Sequence, residues 1–174
     1  MVNEQAYVRI AKINDALELA PKMRDADVKE IKASDNSSPL EALILPFAHE
    51  PPELCKTFSI IGTGKEGVIG MFGVAPSTIE ERGVAWMLAS DELFNHTHRF
   101  LKECPYWVKE MGKGYKYLYN FVDKRNTHAV RWLKFLGFEV TAEEPQFGYG
   151  KIPFLLMTKE MLCADSQKQV QSSV

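Results

Sequence analysis

Residues 118–140 read LYNFVDKRNTHAVRWLKFLGFEV, and the pattern changes period twice along that stretch. Its first part continues a strand that begins at Tyr115, with Tyr115, Tyr117, Tyr119 and Phe121 on one face and Leu118 and Val122 on the other. Asn126 then stands where a helix N-cap belongs, residues 127–136 carry helical spacing, and Gly137 supplies the stop. Phe138 opens a further strand over 138–141. A strand, a capped helix and a strand in tight succession predict a sheet flanked by helices.

Working towards the N-terminus, a long helix is expected from the cap Ser90, with Asp91 and Glu92 in its first turn, to Met111, with Pro105 kinking or splitting it and residues 112–114 ending it. Before it lie three β-favouring runs, 57–61, 68–74 and 84–89. The first two are joined by Gly62-Thr63-Gly64-Lys65-Glu66-Gly67, a mobile hairpin turn. The first third of the chain reads as one strand, 7–10, followed by helices. Asn14 or Asp15 caps the first, whose apolar side is Ala16, Leu17, Leu19, Ala20 and Met23. A break over 24–27 supplies a fresh cap for 28–33, and Ser38-Pro39 starts a helix over 40–49 that Pro51-Pro52 stops. Towards the C-terminus a last strand covers 154–158, and 164–174 is a Ser/Gln-rich disordered tail. The expected fold is α+β, a single domain over 1–163 with a mixed, mostly antiparallel sheet.

Composition narrows the function classes. The chain has 174 residues, 45% hydrophobic, with 21 basic against 23 acidic side chains and a net charge of −2. That balance supplies no global field for nucleic acid or anionic lipid. Cys55, Cys104 and Cys163 are odd in number and widely spaced, which argues against a disulfide framework or zinc knuckle and for a reducing compartment. The polar segment 1–7 is no secretory signal, and the most apolar stretch, 40–48, contains Glu41 and Pro46 and is too short to span a membrane.

The segment from Asn126 and Ala129 through Trp132 and Phe135 to Gly137-Phe138 resembles the signature of GNAT acetyltransferases, and the element order is also that superfamily's. More narrowly, WMLASDEL (86–93) and the stretch 118–140 resemble a podovirus family labelled internal virion protein A. The first resemblance implies a GNAT fold and acetyl-CoA held by backbone groups of Met87, Leu88 and Ala89, with Asn126 as a further contact. The second implies a role in virion assembly or on a host target through a phage or host protein partner, in host cytoplasm or virion-associated. Two departures from the GNAT pattern bear on chemistry. The phosphate-gripping loop is glycine-rich in that family, whereas 88–94 here reads LASDELF, with no glycine and with Asp91 and Glu92 where an anion would sit. The family's Tyr general acid, seven residues after the Asn, is Leu133 here. A degenerate site acting through protein contacts is therefore one reading. A divergent N-acyltransferase, with its thioester carbonyl polarised by backbone N–H groups around 86–89, is the other.

Remaining candidates are weaker. G-x-G-x-x-G at 62–67 lies between two strands, where a phosphate-binding helix is missing. His96 and His98 diverge by roughly 200° on a helix and read as exposed polar residues, not metal ligands. His128 is either a base facing the cleft or a solvated side chain. Cys104 reads as buried packing, and the Tyr row as sheet core or protein interface in preference to a base-stacking platform.

Overall fold

The turn-rich stretch 62–67 joins β2 (Lys56–Ile61) to β3 (Val68–Pro76) in an antiparallel hairpin, and β4 (Arg82–Ala89) extends it antiparallel on the other side of β3. A computed structural model describes residues 7–49 and 53–161. The proposed tail at 164–174, Cys163 and the stop at Pro51-Pro52 lie outside the described residues. β1 (Val8–Ile10) pairs with β2, and β5 (Tyr117–Asp123) lies parallel to β4. Then β7 (Ile152–Glu160) pairs antiparallel with both β5 and β6 (Glu139–Phe147), giving the order β1-β2-β3-β4-β5-β7-β6. One parallel pair in seven strands makes the sheet mixed and mostly antiparallel, as expected.

Helices cover both faces. α1 (Ile13–Leu19), α2 (Asp25–Asp35) and α3 (Pro39–Ile44) lie on one side; α4 (Thr97–Gly112) and α5 (Thr127–Phe135) lie on the other. β3 sits between them, with Val68 and Met71 packed with Leu19 and Leu43, and Ile69, Phe72 and Val74 packed with Val108 and Leu118. Burial on both faces is why its sequence is a continuous apolar run without alternation. Among the described residues no helix is long and apolar enough to cross a membrane.

Several local expectations are corrected. The N-cap of α1 is Lys12, and Asp15 sits one turn in, accepting the Lys12 N–H at 2.8 Å, both Arg9 guanidinium N–H groups and the Ser59 hydroxyl. This buried network ties β1, α1 and β2, so Asp15 caps α1 from its third position, through the Lys12 N–H, and serves tertiary structure as well. Leu17, placed on the apolar side, is 57% exposed. α2 begins at Asp25, inside the expected break over 24–27 and three residues before the expected start at Val28. The expected long helix splits at His96, where a 3-10 segment (Asp91–His96) gives way to α4. Pro105 lies unbroken inside α4 on its exposed side, where water can satisfy the carbonyl it leaves without a donor. Ser90 holds the cap position but turns its hydroxyl to the Ile69 carbonyl. β6 runs on to Phe147, well past 141.

Candidate functional site

β4 and β5 touch only at their start, with Arg82, Gly83 and Val84 against Tyr117, Leu118 and Tyr119. From Ala85 and Asn120 onward the two strands part, and the fork opens into a cavity of about 220 Å³. Its walls come from both sides of the sheet. Glu30 and Asp27 of α2 face it from one side; Phe72, Ala85, Met87, Trp107, Val108, Met111 and Leu133 line it from the other. Arg24, Asn126 and the exposed His128 add polar groups to a lining that is otherwise mostly apolar.

α2 lies across the open fork and holds both prongs. The Ala89 N–H at the end of β4 donates to Asp27 Oδ2 at 2.9 Å, and the Ala89 carbonyl accepts the Arg24 N–H at 2.8 Å. The Asp123 N–H at the end of β5 donates to Glu30 Oε2 at 3.1 Å, and Asn126 Nδ2 donates to the same oxygen at 3.2 Å. At its C-terminal end α2 offers the carbonyls of Ala33 and Ser34 to the N–H groups of Gly150 and Tyr149 in the β6–β7 turn. Asp27 is buried and paired with Arg24 at 2.9 Å. Burial raises the Asp27 carboxyl above its ordinary range, against the pull of Arg24 and the Ala89 N–H. Burial likewise pushes the Glu30 carboxyl up to about 7; the hydrogen bond from Asn126 opposes this, and the negative field of Asp27 adds to it. A carboxyl poised near neutrality at the edge of a cleft is suited to accept a proton.

Of the residues singled out in the sequence, Met87 and Asn126 line the cavity, whereas Leu88 and Ala89 do not. The backbone groups of Ala89 point away from β3 to α2, and alternation along the antiparallel pair gives Met87 the same direction. The Met87 N–H therefore lies on the open edge of the fork, the Leu88 N–H faces Met71 of β3, and the Ala89 N–H is taken by Asp27. Asn126 also caps α5, accepting the Ala129 N–H at 3.3 Å. Leu133, at the place of the expected Tyr, is buried in the wall. Cys104 is buried too, and burial pushes its thiol up to about 12, which leaves it inert as a nucleophile.

His96 corrects the expectation of an exposed polar residue: its Nε2 lies 2.7 Å from Glu66 Oε2 and it is half-buried. That contact, the Lys22 ammonium on the Glu66 carbonyl and Glu18 Oε1 on the Val68 N–H tie the 62–67 turn to the helical segments beside it. Among the described residues no cluster of three His, Cys, Asp or Glu is arranged for a metal. The aromatic row is packed. Tyr119 hydrogen-bonds Ser77, Phe121 stacks on Phe147 at 4.5 Å, and Tyr115, buried, donates to the Leu54 carbonyl. Glu30 was missed in the sequence, where it sits in a polar helix without a motif.

With this geometry in view, the likeness to solved structures is direct. The chain is similar to the ribosomal-protein-S5-alanine acetyltransferase from Vibrio fischeri (TM-score 0.65, 17% identity, 90% of this chain and 94% of that one). It is also similar to the ribosomal-protein-S18-alanine N-acetyltransferase from Escherichia coli (TM-score 0.61, 12% identity, 90% and 94%). A Salmonella typhimurium structure solved with its cofactor acetyl-CoA aligns with TM-score 0.64 at 14% identity over 90% and 94%. No protein-family model matches the chain, and no curated protein matches it in sequence. The chain has the fold of the GNAT acetyltransferases.

Proposed function

We propose that this protein is an acyl-CoA-dependent N-acyltransferase with Glu30 as its general base. The observation that carries this reading is the carboxyl of Glu30, lifted to about 7 and facing a cavity that opens between two parting strands. The substrate amine enters from the α2 side and the thioester lies in the fork, with the Met87 N–H available to its carbonyl oxygen. The amine nitrogen forms a bond to the carbonyl carbon, its proton passes to Glu30, and the C–S bond breaks with its electron pair on sulfur. A thiol of ordinary pKa, about 8.5, leaves readily as thiolate and takes its proton from water at the mouth, so Leu133 in place of a Tyr is no barrier. Glu30 then returns its proton to solvent. Two of the similar structures acetylate alanine on ribosomal proteins by their names, which supports an amine acceptor.

The β4–α4 junction favours a second reading. It lacks glycine, and Asp91 and Glu92 share a shallow pocket there with Lys22 and Asn95. On this reading the acyl-CoA site is degenerate and the fold serves protein contacts. The resemblance to the phage internal virion family supports virion assembly or a host target as the context, in host cytoplasm or in the particle.

Thermal unfolding with acetyl-CoA, CoA and ATP separates the two. A ligand at 100 times its Kd adds about 2.7 kcal/mol, or roughly 5–10 °C for a domain of this size. A shift with acetyl-CoA and none with ATP supports the enzyme; no shift at millimolar ligand supports the second reading. For the enzyme, kcat/KM rises with pH through about 7 and then levels. Glu30→Gln removes that rise and lowers the rate about 10²- to 10⁴-fold.

A further inference from the structure

We infer that the thioester reaches the fork on the phosphopantetheine arm of an acidic carrier protein that docks on the outer face of α4 and α5; this rests on the N-acyltransferase reading and specifies its donor. Between residues 95 and 138, a stretch that holds both helices, nine side chains are basic and three acidic, in a chain whose net charge is −2. The remainder of the chain is correspondingly acidic, and α4 and α5 share one side of the sheet. On α4 the exposed His98, Lys102 and Lys109 recur at i, i+4 and i+11, a single stripe about 16 Å long. The two acids of α4 are already taken, Glu103 by Arg99 at 2.9 Å and Glu110 by Lys113 at 2.6 Å. On α5 His128, Arg131 and Lys134 share the exposed side, and that helix contains no acid. Among the described residues Lys102, Lys109, Arg131 and Lys134 form no ion pair. The cavity opens between these helices: Phe94, Thr97 and His128 line it and are exposed, and the Phe94 and His128 rings meet edge to face at 6.1 Å. Positive charge thus flanks the opening by which a thioester enters. The stripe is longer than the clustered phosphates of a nucleotide can use, and the glycine-free β4–α4 junction, with Asp91 and Glu92, gives a diphosphate no backbone grip. A carrier's arm brings the same pantetheine with a single phosphodiester, and its acidic surface meets the stripe. Tyr106 and Phe135, 57% and 59% exposed beside these cations, add the aromatic rings that protein interfaces favour. In the transfer the amine nitrogen bonds to the carbonyl carbon and its proton passes to Glu30. The C–S bond breaks, and the thiolate stays on the carrier's arm and takes a proton from water.

Titration calorimetry on the full chain tests this, with a purified bacterial acyl carrier protein bearing acetyl-phosphopantetheine, the same carrier without its arm, acetyl-pantetheine, acetyl-CoA and a short single-stranded RNA. The acetylated carrier is expected to bind about tenfold more tightly than acetyl-CoA at low salt and to lose that lead as salt rises. Lys102→Glu and Lys134→Glu alter exposed residues that do not line the cavity, so each should weaken the carrier roughly three- to tenfold and leave acetyl-pantetheine binding unchanged. Acetyl-CoA binding as tightly as the carrier, an armless carrier binding as tightly as the acetylated one, or a lead that both variants retain overturns the inference and leaves the N-acyltransferase reading intact. RNA binding more tightly than the carrier overturns it too and assigns the basic face to nucleic acid. If neither acetyl-pantetheine, acetyl-CoA nor the acetylated carrier binds, the N-acyltransferase reading falls, and this inference with it.

Discussion

Replacing Glu30 by Gln tests the electrostatics of the fork without any substrate. The Gln side chain keeps an acceptor oxygen for the Asp123 N–H and Asn126 Nδ2, so shape and hydrogen bonds survive while the titration is lost. In the folded chain the Glu30 carboxyl sits at about 7 against an ordinary 4.5. The folded state thus binds more protons than the unfolded one between these values, and wild-type stability falls as pH rises through that window. At about 1.4 kcal/mol per pH unit the full displacement corresponds to on the order of 3 kcal/mol, an upper value for a carboxyl that is only half-buried. Below about pH 4.5 this contribution to stability is fully present, and above pH 7 it is gone. The Gln variant lacks the fall, so its advantage over wild type should grow from pH 5 to pH 8 by part of that, about 1 to 2 kcal/mol, or roughly 2 to 8 °C in Tm. Asp27 stays in both proteins, and because its negative field is one cause of the raised Glu30 carboxyl, the difference reads the coupled pair. Scanning calorimetry of both proteins at pH 5, 6, 7 and 8 reads the effect. A Tm difference that stays constant across that range would refute the assignment of a raised Glu30 carboxyl.

Asp27→Ala removes both the acceptor of the buried Ala89 N–H and the partner of Arg24, and urea unfolding should show a loss of about 3 kcal/mol. Gly148 has a positive φ of 60°, and a Cβ there would collide with the Ser34 carbonyl, so Gly148→Ala should lower stability by about 2 kcal/mol and loosen the end of α2, measurable as faster amide exchange at Tyr149 and Gly150. Cys104 should resist iodoacetamide at pH 8 in the folded protein and react once urea unfolds it, read by mass-spectrometric mapping of its peptide.

The stretch 126–138 was legible because its signals are local: Asn126 at the cap, an amphipathic turn, and Gly137 at φ 84° closing the helix. The β2–β3 hairpin was legible for the same reason. Errors arose where a local preference was overruled from a distance. The stretch 24–27 looked like a break because Asp favours caps and turns, but it opens α2, and the Asp27 carboxylate binds a strand end 62 residues away. Glu30 gave no sign at all, since its partners Asp123 and Asn126 are 93 and 96 residues along the chain. The far half of β6 looked like a loop because Glu143, Glu144 and Pro145 are poor strand formers, yet such residues suit an exposed edge that must not recruit another strand. Met87 was separable from its neighbours only once the pairing of β4 with β3 was known.

Two carboxylates of α2, Asp27 and Glu30, act as a gauge. Residues three apart on a helix are about 4.5 Å apart along its axis, and that fixed interval, set by helical geometry and not by the sheet, fastens one strand end to Asp27 and the other to Glu30. Lengthening the interval by one residue turns the second carboxylate away by about 100° and unfastens β5. The width of the slot is thus written in one short helix, so this helix, and not the signature-bearing segment 126–138, is where a redesign of the slot would begin.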